Sequence, residues 1–456
     1  MLKRLLCAAG LSLLPIGAFA QGPLIWEVQE DFHVADDSVA GITLSGKSAV
    51  IIGDTRVPPE GTELVAQALH KATGIVRWTA PQGVCCTPED LQARPDIGSR
   101  RNIAVIAGNG EDSARHVNTL LVRAYDVPTG TLMWEDEWTG APDLVNVKFI
   151  SLAVGPTAVA VTASAERADR QGSEFFLGVY DLLTGVPLWG TRVYDLVPEL
   201  LAINRNRVFV AGVFTGPDER TLLMRAHDVE SGGVYWESMR PTVDPRSIKL
   251  ASGRLFVAGS LGVGASSIPY LGAFSAGTGA PLWENTAPPG SPLGSSFVDI
   301  AVNGSRVVGV LLNNSIAVQA YDVTTGMLEW QAPNPGSISF SIGLNDDAVY
   351  IAGVVNNPAG VVLVPEYAPG SVFSELMVRA YAASTGELLW DDRSHPSTVS
   401  PFINRFLIDL ALDKSRLFVV GYTIDEDHSQ GFPRHAVSGQ DFLIRAYGIR
   451  SDVAEP

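Results

Sequence analysis

The sequence predicts an all-β chain, an eight-bladed propeller of four-stranded blades closed by the N-terminal strand. Three observations predict it. A motif ending in Gly-x-x-x-Trp returns at near-even spacing, four short strands fit each interval, and the chain ends carry complementary halves of the motif.

Seven segments carry the motif: 68–78, 124–134, 179–189, 226–236, 273–283, 320–330 and 380–390. They end in Trp78, Trp134, Trp189, Trp236, Trp283, Trp330 and Trp390, which lie 56, 55, 47, 47, 47 and 60 positions apart. An interval of that size is one supersecondary unit, which cannot bury its apolar faces without neighbours. Trp26 adds an eighth copy, and Trp138 alone fits none.

The strands follow from the interval 297–330. Phe297–Val302 alternates, Asn303-Gly304-Ser305 is a turn, and Arg306–Leu312 is a second strand. Ala317–Tyr321 is a third, Thr325-Gly326 a tight turn, and Leu328–Trp330 a fourth. Glycine takes a positive φ that other residues resist, and an Asp four positions earlier can accept from the turn's amides. Asp126, Asp181, Asp228 and Asp322 fill that place, while His70, Ser275 and Ala382 replace it. In blade 2 the inner strand should lie within Glu89–Asn102, where Pro95 and three arginines make a poor strand.

The tryptophans read as structural wedges docked between blades. One buried indole removes roughly 150–250 Å² from water, at most about 4–6 kcal/mol each. Ring closure follows from the ends. Residues 444–447 read Ile-Arg-Ala-Tyr, as in other third strands, yet no Gly-x-x-x-Trp follows them. Gln21-Gly22-Pro23-Leu24-Ile25-Trp26 supplies that missing half, so the first strand should complete the last blade.

Composition excludes other classes. The chain has 456 residues, 46% of them hydrophobic and 18% charged, with 32 Lys plus Arg against 49 Asp plus Glu. A net charge of -17 opposes nucleic-acid binding, and the apolar content is too high for a disordered chain. Lys3 and Arg4 precede an apolar run from Leu5 to Ile16, then Ala18-Phe19-Ala20. That pattern reads as a secretory signal over residues 1–20, too short for a stable membrane span. The expected product is one domain over residues 21–456, monomeric, periplasmic or secreted, without a membrane span.

The repeat Ala-x-Asp-x-x-Thr-Gly-x-x-x-Trp resembles the tryptophan-docking motif of pyrroloquinoline-quinone propellers, over essentially the whole mature chain. The resemblance implies the eight-bladed fold. It also implies two kinds of activity, since that superfamily holds quinone-dependent alcohol and sugar dehydrogenases as well as non-catalytic periplasmic scaffolds.

Chemistry is expected on one face. The segments 108–119, 164–174, 354–374 and 423–441 are long and variable, whereas the turns at 204–207, 252–253, 303–305, 345–347 and 413–415 are tight. Long connections on a rigid scaffold carry recognition, so a protein, peptide or glycan partner is expected there. Cys85-Cys86 falls on that side and holds the cysteines left after cleavage. An adjacent pair in an oxidising compartment reads as a loop-stiffening disulfide or as thiols. Quinoprotein alcohol dehydrogenases carry such a pair against the quinone, so the resemblance implies cofactor binding at Cys85 and Cys86, with quinone and calcium as cofactors. The residues that follow, Thr87-Pro88-Glu89-Asp90, depart from the Asp-x-x-Asn-Arg-Gly run of those enzymes. The leading expectation is therefore a non-catalytic scaffold without cofactor, and the alternative a quinone- and calcium-dependent dehydrogenase.

Lys148, Lys249, Asp299 and Asp409 fall on innermost strands and are expected to line the channel. Asp143, Asn146, Asp244, Arg246, Asn404 and Arg405 precede those strands at its mouth. Arg123, Arg225, Arg379 and Arg445 precede the Ala of the repeat and read as third-strand side chains beside an indole. Glu30-Asp31 with Asp36-Asp37, and Asp425-Glu426-Asp427-His428 with His435, have no metal-site spacing and read as solvated loops.

Overall fold

A computed structural model describes residues 23–30, 37–57, 61–85, 95–112, 117–139, 144–167, 173–193, 196–215, 220–262, 266–286, 294–312, 317–333, 337–356, 372–393, 397–399, 408–424 and 440–449. They form eight antiparallel sheets, each a blade of four strands running outward from the axis, in chain order except at the outermost strand of blade 8, and with a fifth short strand in blade 7. The first strands are Asp37–Ser45, Asp96–Arg100, Leu144–Val154, Val197–Ile203, Val243–Ala251, Ser296–Val302, Ser337–Leu344 and Asp409–Leu412, in blades 1 to 8. Each lies against the first strands of both neighbouring blades, and that of blade 8 lies against that of blade 1, so the ring closes.

Closure falls where the split motif places it. Leu24–Glu30 is the outermost strand of blade 8 and runs antiparallel to Gln440–Gly448, with Val28 opposite Ile444 and Glu30 opposite Phe442. Blade 7 departs from the four-strand plan. Its third strand, Val372–Ala382, is longer than its fourth, Leu388–Arg393, and the short strand Ser397–Val399 covers the uncovered start at Val372–Ser374. Blade 2 keeps its inner strand at Asp96–Arg100 despite the poor local sequence, because Arg101 and Asn102 turn the chain in two residues, both with positive φ (51° and 63°).

Second strands such as Arg207–Thr215 are apolar on successive residues because both of their faces are covered by neighbouring blades. The tryptophans fasten one blade to the next. The indole Nε1 of Trp26 donates to the Lys71 carbonyl (3.0 Å), Trp78 to Val127 (2.7 Å), Trp134 to Leu182 (3.0 Å) and Trp189 to Val229 (3.0 Å). Trp236 donates to Ala276 (3.1 Å), Trp283 to Val323 (3.2 Å) and Trp330 to Ala383 (2.8 Å). Trp390 stacks on Tyr447 with ring centroids 5.5 Å apart. Each acceptor lies in the next blade's turn, and that turn's glycine rests on the indole face. At Gly386, φ is +72° and a Cβ would stand 2.4 Å from Trp330 Cε3. Glycine is thus required twice, for backbone conformation and for contact with the ring. Asp126 Oδ1 accepts from the Thr129 amide (3.0 Å) and hydroxyl (2.6 Å), and Asp181, Asp228 and Asp322 hold their turns the same way.

The third-strand arginines have acidic partners that the motif alone did not reveal. Arg225 lies directly opposite Glu237, the residue after Trp236, and their side chains pair at 2.6 Å. Arg379 pairs with Asp391 at 3.0 Å, Arg445 with Glu27 at 2.5 Å, and Arg123 with Glu135. Where the column holds Gln319, its opposite is Gln331, bonded at 2.8 Å. Where it holds Gly178, its opposite is Gly190. A Cβ at either glycine would press on Phe176, at 2.7 and 3.0 Å, and Phe176 stacks on Trp138 with centroids 4.5 Å apart. The tryptophan outside the repeat thus has its own socket in blade 3.

Candidate functional site: the hub and the loop face

At one level around the axis the eight first strands contribute Gly41, Asp96, Ser151, Leu200, Ser247, Asp299, Ser341 and Asp409. Each is paired with the corresponding residue of its second strand, from Ile52 in blade 1 to Val420 in blade 8. Just before this level the first strand carries a β-bulge in blades 1, 3, 4, 5 and 6, which re-aims the residue that follows. Two residues further on, the ring reads Thr43, Gly98, Ala153, Ala202, Lys249, Ala301, Gly343 and Ala411. Lys249 is the single long side chain in a ring of small ones, which leaves its ammonium free to approach carboxylates of other blades.

Each hub carboxylate is bound to its own strand and to a neighbour. Asp299 Oδ1 accepts from the Ile300 amide (2.8 Å) and from Ser247 Oγ (2.8 Å), and Lys249 Nζ stands 3.5 Å away. Asp409 Oδ1 accepts from the Leu410 amide (2.8 Å) and Ser341 Oγ of blade 7 (3.0 Å), while Oδ2 accepts from the Ile42 amide of blade 1 (3.0 Å). Asp96 Oδ1 accepts from the Ile97 amide at 2.7 Å, and the Leu152 amide of blade 3 also donates to its carboxylate. Asp96 was missed in the sequence because it opens the one inner strand without a clear pattern. The signal was there as Asp followed by Ile or Leu, shared by Asp96-Ile97, Asp299-Ile300 and Asp409-Leu410.

The electrostatics follow from this enclosure. Burial first, with Asp409 adding to it, pushes the Asp96 carboxyl up to about 6 against the pull of the two amides and Lys249. Burial also holds Asp409 above the ordinary carboxylate value, with Asp299 adding to the rise. Lys249 is held above its usual value by Asp299 first, then by Asp409 and Asp96. It is thus a fixed cation rather than a neutral amine able to attack a carbonyl.

Lys148 does not join this cluster. Its Nζ stands 3.9 Å from Glu166 of its own blade, which also accepts from Asn146 Nδ2 at 3.1 Å. Arg246 pairs with Asp244 at 2.8 Å. Cys85 ends the outer strand of blade 1, and Cys86 lies outside the described residues. Asp31, Asp36, Asp143, Asn404, Arg405, Asp425, Glu426, Asp427, His428 and His435 also lie outside them.

Calcium with a quinone needs several oxygen donors around one point. Among the described residues of the hub, the carboxylates are turned onto backbone amides and serines, and Lys249 Nζ stands 3.5 Å from Asp299. Among the described residues no three His, Cys, Asp or Glu side chains converge as metal ligands. No helix among them is long and apolar enough to cross a membrane.

The connections divide between the two faces. Turns from first to second strand are as short as the two residues Ser252-Gly253. On the opposite face the chain runs from Asn356 to Val372 in blade 7, from Val399 to Asp409 between blades 7 and 8, and from Ile424 to Gln440 in blade 8.

Comparison with known proteins agrees with the fold. A family model described as outer membrane protein assembly factor BamB matches residues 219–423, from the third strand of blade 4 to the second of blade 8. No curated protein sequence matches the chain. The computationally designed Ika8 protein superposes at a TM-score of 0.57 and 12% identity, over 94% of this chain and 100% of its own. Sqt1 of Saccharomyces cerevisiae follows at 0.55 and 11%, over 94% and 100%. A europium-containing methanol dehydrogenase matches at 0.53 and 11%, over 93% of each chain. Identities this low carry the architecture and nothing of activity.

Proposed function

We propose, for a chain that is an eight-bladed β-propeller of the pyrroloquinoline-quinone-like repeat type, the role of an exported, non-catalytic binding scaffold. It recognises a protein, peptide or glycan on its loop-rich face. The observation that carries this reading is the division of connections: tight turns on one face, and on the other the two longest connections, 357–371 in blade 7 and 425–439 in blade 8. The hub supports it from below, because its charged groups are spent on holding blades together. The signal-like segment at residues 1–20 supports export.

The quinone-dependent dehydrogenase is the competing reading, favoured by Cys85, which ends an outer strand on the same side and is followed in sequence by Cys86. One experiment separates the two. The purified chain is incubated with pyrroloquinoline quinone and calcium, then assayed for dye reduction with alcohols and sugars. In parallel it is applied to peptide and glycan arrays. The scaffold reading expects no dye reduction and selective array binding that is lost on shortening 357–371 or 425–439 and kept when Ser252-Gly253 is replaced. Turnover that disappears in Cys85→Ser overturns it.

A further inference from the structure

We propose that Asp96, Asp409 and Lys249 form a proton-sensitive clasp that tightens the ring's closing seam when the hub takes up a proton. The seam is where the three C-terminal strands of blade 8 meet the N-terminal segment, which supplies the outer strand Leu24–Glu30 and all of blade 1. Outside the hub it is held by Arg445 with Glu27 (2.5 Å) and Lys71 with Asp413 (2.9 Å). At the hub it is held by Asp409, whose Oδ2 crosses to the Ile42 amide of blade 1 while its Oδ1 binds Ser341 of blade 7.

Asp96 flanks the same place from the far side. Between Asp409 in blade 8 and Asp96 in blade 2, the ring position of blade 1 is Gly41. A Cβ there would stand 3.6 Å from Asp409 Oδ2 and 3.1 Å from Ile97, the neighbour of Asp96. Gly41 therefore interposes no side chain between the two acids, and Asp409 acts on Asp96 as a like charge. The charged groups that bear on Asp96 are Asp409 and Lys249, and Asp299 bears on both of these. With every group ionised, three carboxylates share one ammonium. A proton on Asp96 leaves Asp299 and Asp409 with Lys249 and removes the repulsion bearing on the Asp409–Ile42 link. Burial places that protonation near pH 6. Other blades carry serine at this level, as at Ser151, Ser247 and Ser341, so an acid is not required to build a blade.

The test is amide hydrogen exchange read by mass spectrometry at pH 5 and pH 8, corrected for intrinsic exchange. Segments containing Ile42 and Phe442–Tyr447 are compared with Phe209 and Phe256 in blades 4 and 5, away from the seam. The expected result is greater seam protection at pH 5 by between about 3-fold and about 10-fold, the upper figure being the share of the Asp96 linkage realised between pH 5 and pH 8, with little change in blades 4 and 5. Asp96→Asn should hold acid-level protection at both pH values. Asp96→Ser, the residue three other blades use, repeats the test if the amide variant folds poorly. Seam protection that ignores pH in the native chain, or a pH response that survives both substitutions, overturns the proposal.

Discussion

Replacing Gly386 by alanine should reveal what the indole dock contributes, provided that backbone strain is measured separately. Gly386 has φ of +72° and an added Cβ would lie 2.4 Å from Trp330 Cε3 and 2.8 Å from Cδ2. Trp330 cannot retreat easily, being 8% exposed with its Nε1 bonded to Ala383. The left-handed backbone costs a non-glycine residue about 1–2 kcal/mol. Overpacking against a held ring adds about 1–3 kcal/mol. The expected total is about 2–5 kcal/mol. Gly253 is the control, with φ of +73° and nothing within 4 Å of an added Cβ, so Gly253→Ala should cost about 1–2 kcal/mol. Equilibrium denaturation followed by tryptophan fluorescence, with midpoints compared at matched slopes, gives both numbers. If the two variants lie within about 0.5 kcal/mol of each other, the indole contact is not what the turn glycine serves.

Stability should fall as pH rises through about 6, because native Asp96 keeps a proton there that the unfolded chain has already released. The rise from 3.8 to about 6 sets an upper limit of about 3 kcal/mol on that loss, and Asp96→Asn should flatten the profile and gain stability at pH 8, as thermal melts across pH would record. Arg379→Ala should cost about 3 kcal/mol, since Arg379 is 4% exposed and its loss leaves Asp391 only the more exposed Arg393 at 3.4 Å, whereas Arg225→Ala beside the exposed Glu237 should cost under about 1 kcal/mol. Chemical denaturation of the two variants checks the contrast. Trp138→Ala should lose about 0.5–1.5 kcal/mol of stacking on Phe176 beyond the area it uncovers, and restoring the repeat pair with Gly178→Arg and Gly190→Glu should not rescue it, because Phe176 fills that space.

The parts legible in the sequence were those that recur. Trp, Gly and Asp stand at fixed offsets because one geometric problem, docking a blade on the next turn, is solved again in each repeat, and repetition makes it visible. The closing strand was legible because Leu24-Ile25-Trp26 and Ile444-Arg445-Ala446-Tyr447 are fragments of one pattern. The hub was half legible. Lys249, Asp299 and Asp409 fall on strands with clear alternation, but Asp96 follows Pro95 in a stretch without it. That Lys148 pairs with Glu166 while Lys249 crosses to other blades depends on which neighbours are small, and that lies in seven separate strands. The extra strand of blade 7 had no local signal, since it exists only because Val372–Ala382 overruns its partner.

The arginine column joins these two kinds of legibility. An arginine before the repeat's Ala and an acid after its Trp are ten or more residues apart in sequence, yet the hairpin register puts them opposite each other. Reading the columns together rather than singly turns arginines read beside an indole into members of cross-strand pairs: Arg with Glu or Asp, Gln with Gln or Thr, Gly with Gly. Blade 5 tests that logic by breaking it. Gly272 faces Glu284, an acid with no cation across the strand, and Glu284 is claimed instead by Arg240 (2.8 Å) of blade 4 and by the Tyr270 hydroxyl (2.6 Å). The pair has moved from within a blade to between blades, so the charge that elsewhere stiffens one sheet here ties two together. With blade faces, turns and hub all committed to holding neighbours in place, the connections 357–371 in blade 7 and 425–439 in blade 8 have a length which that task does not explain.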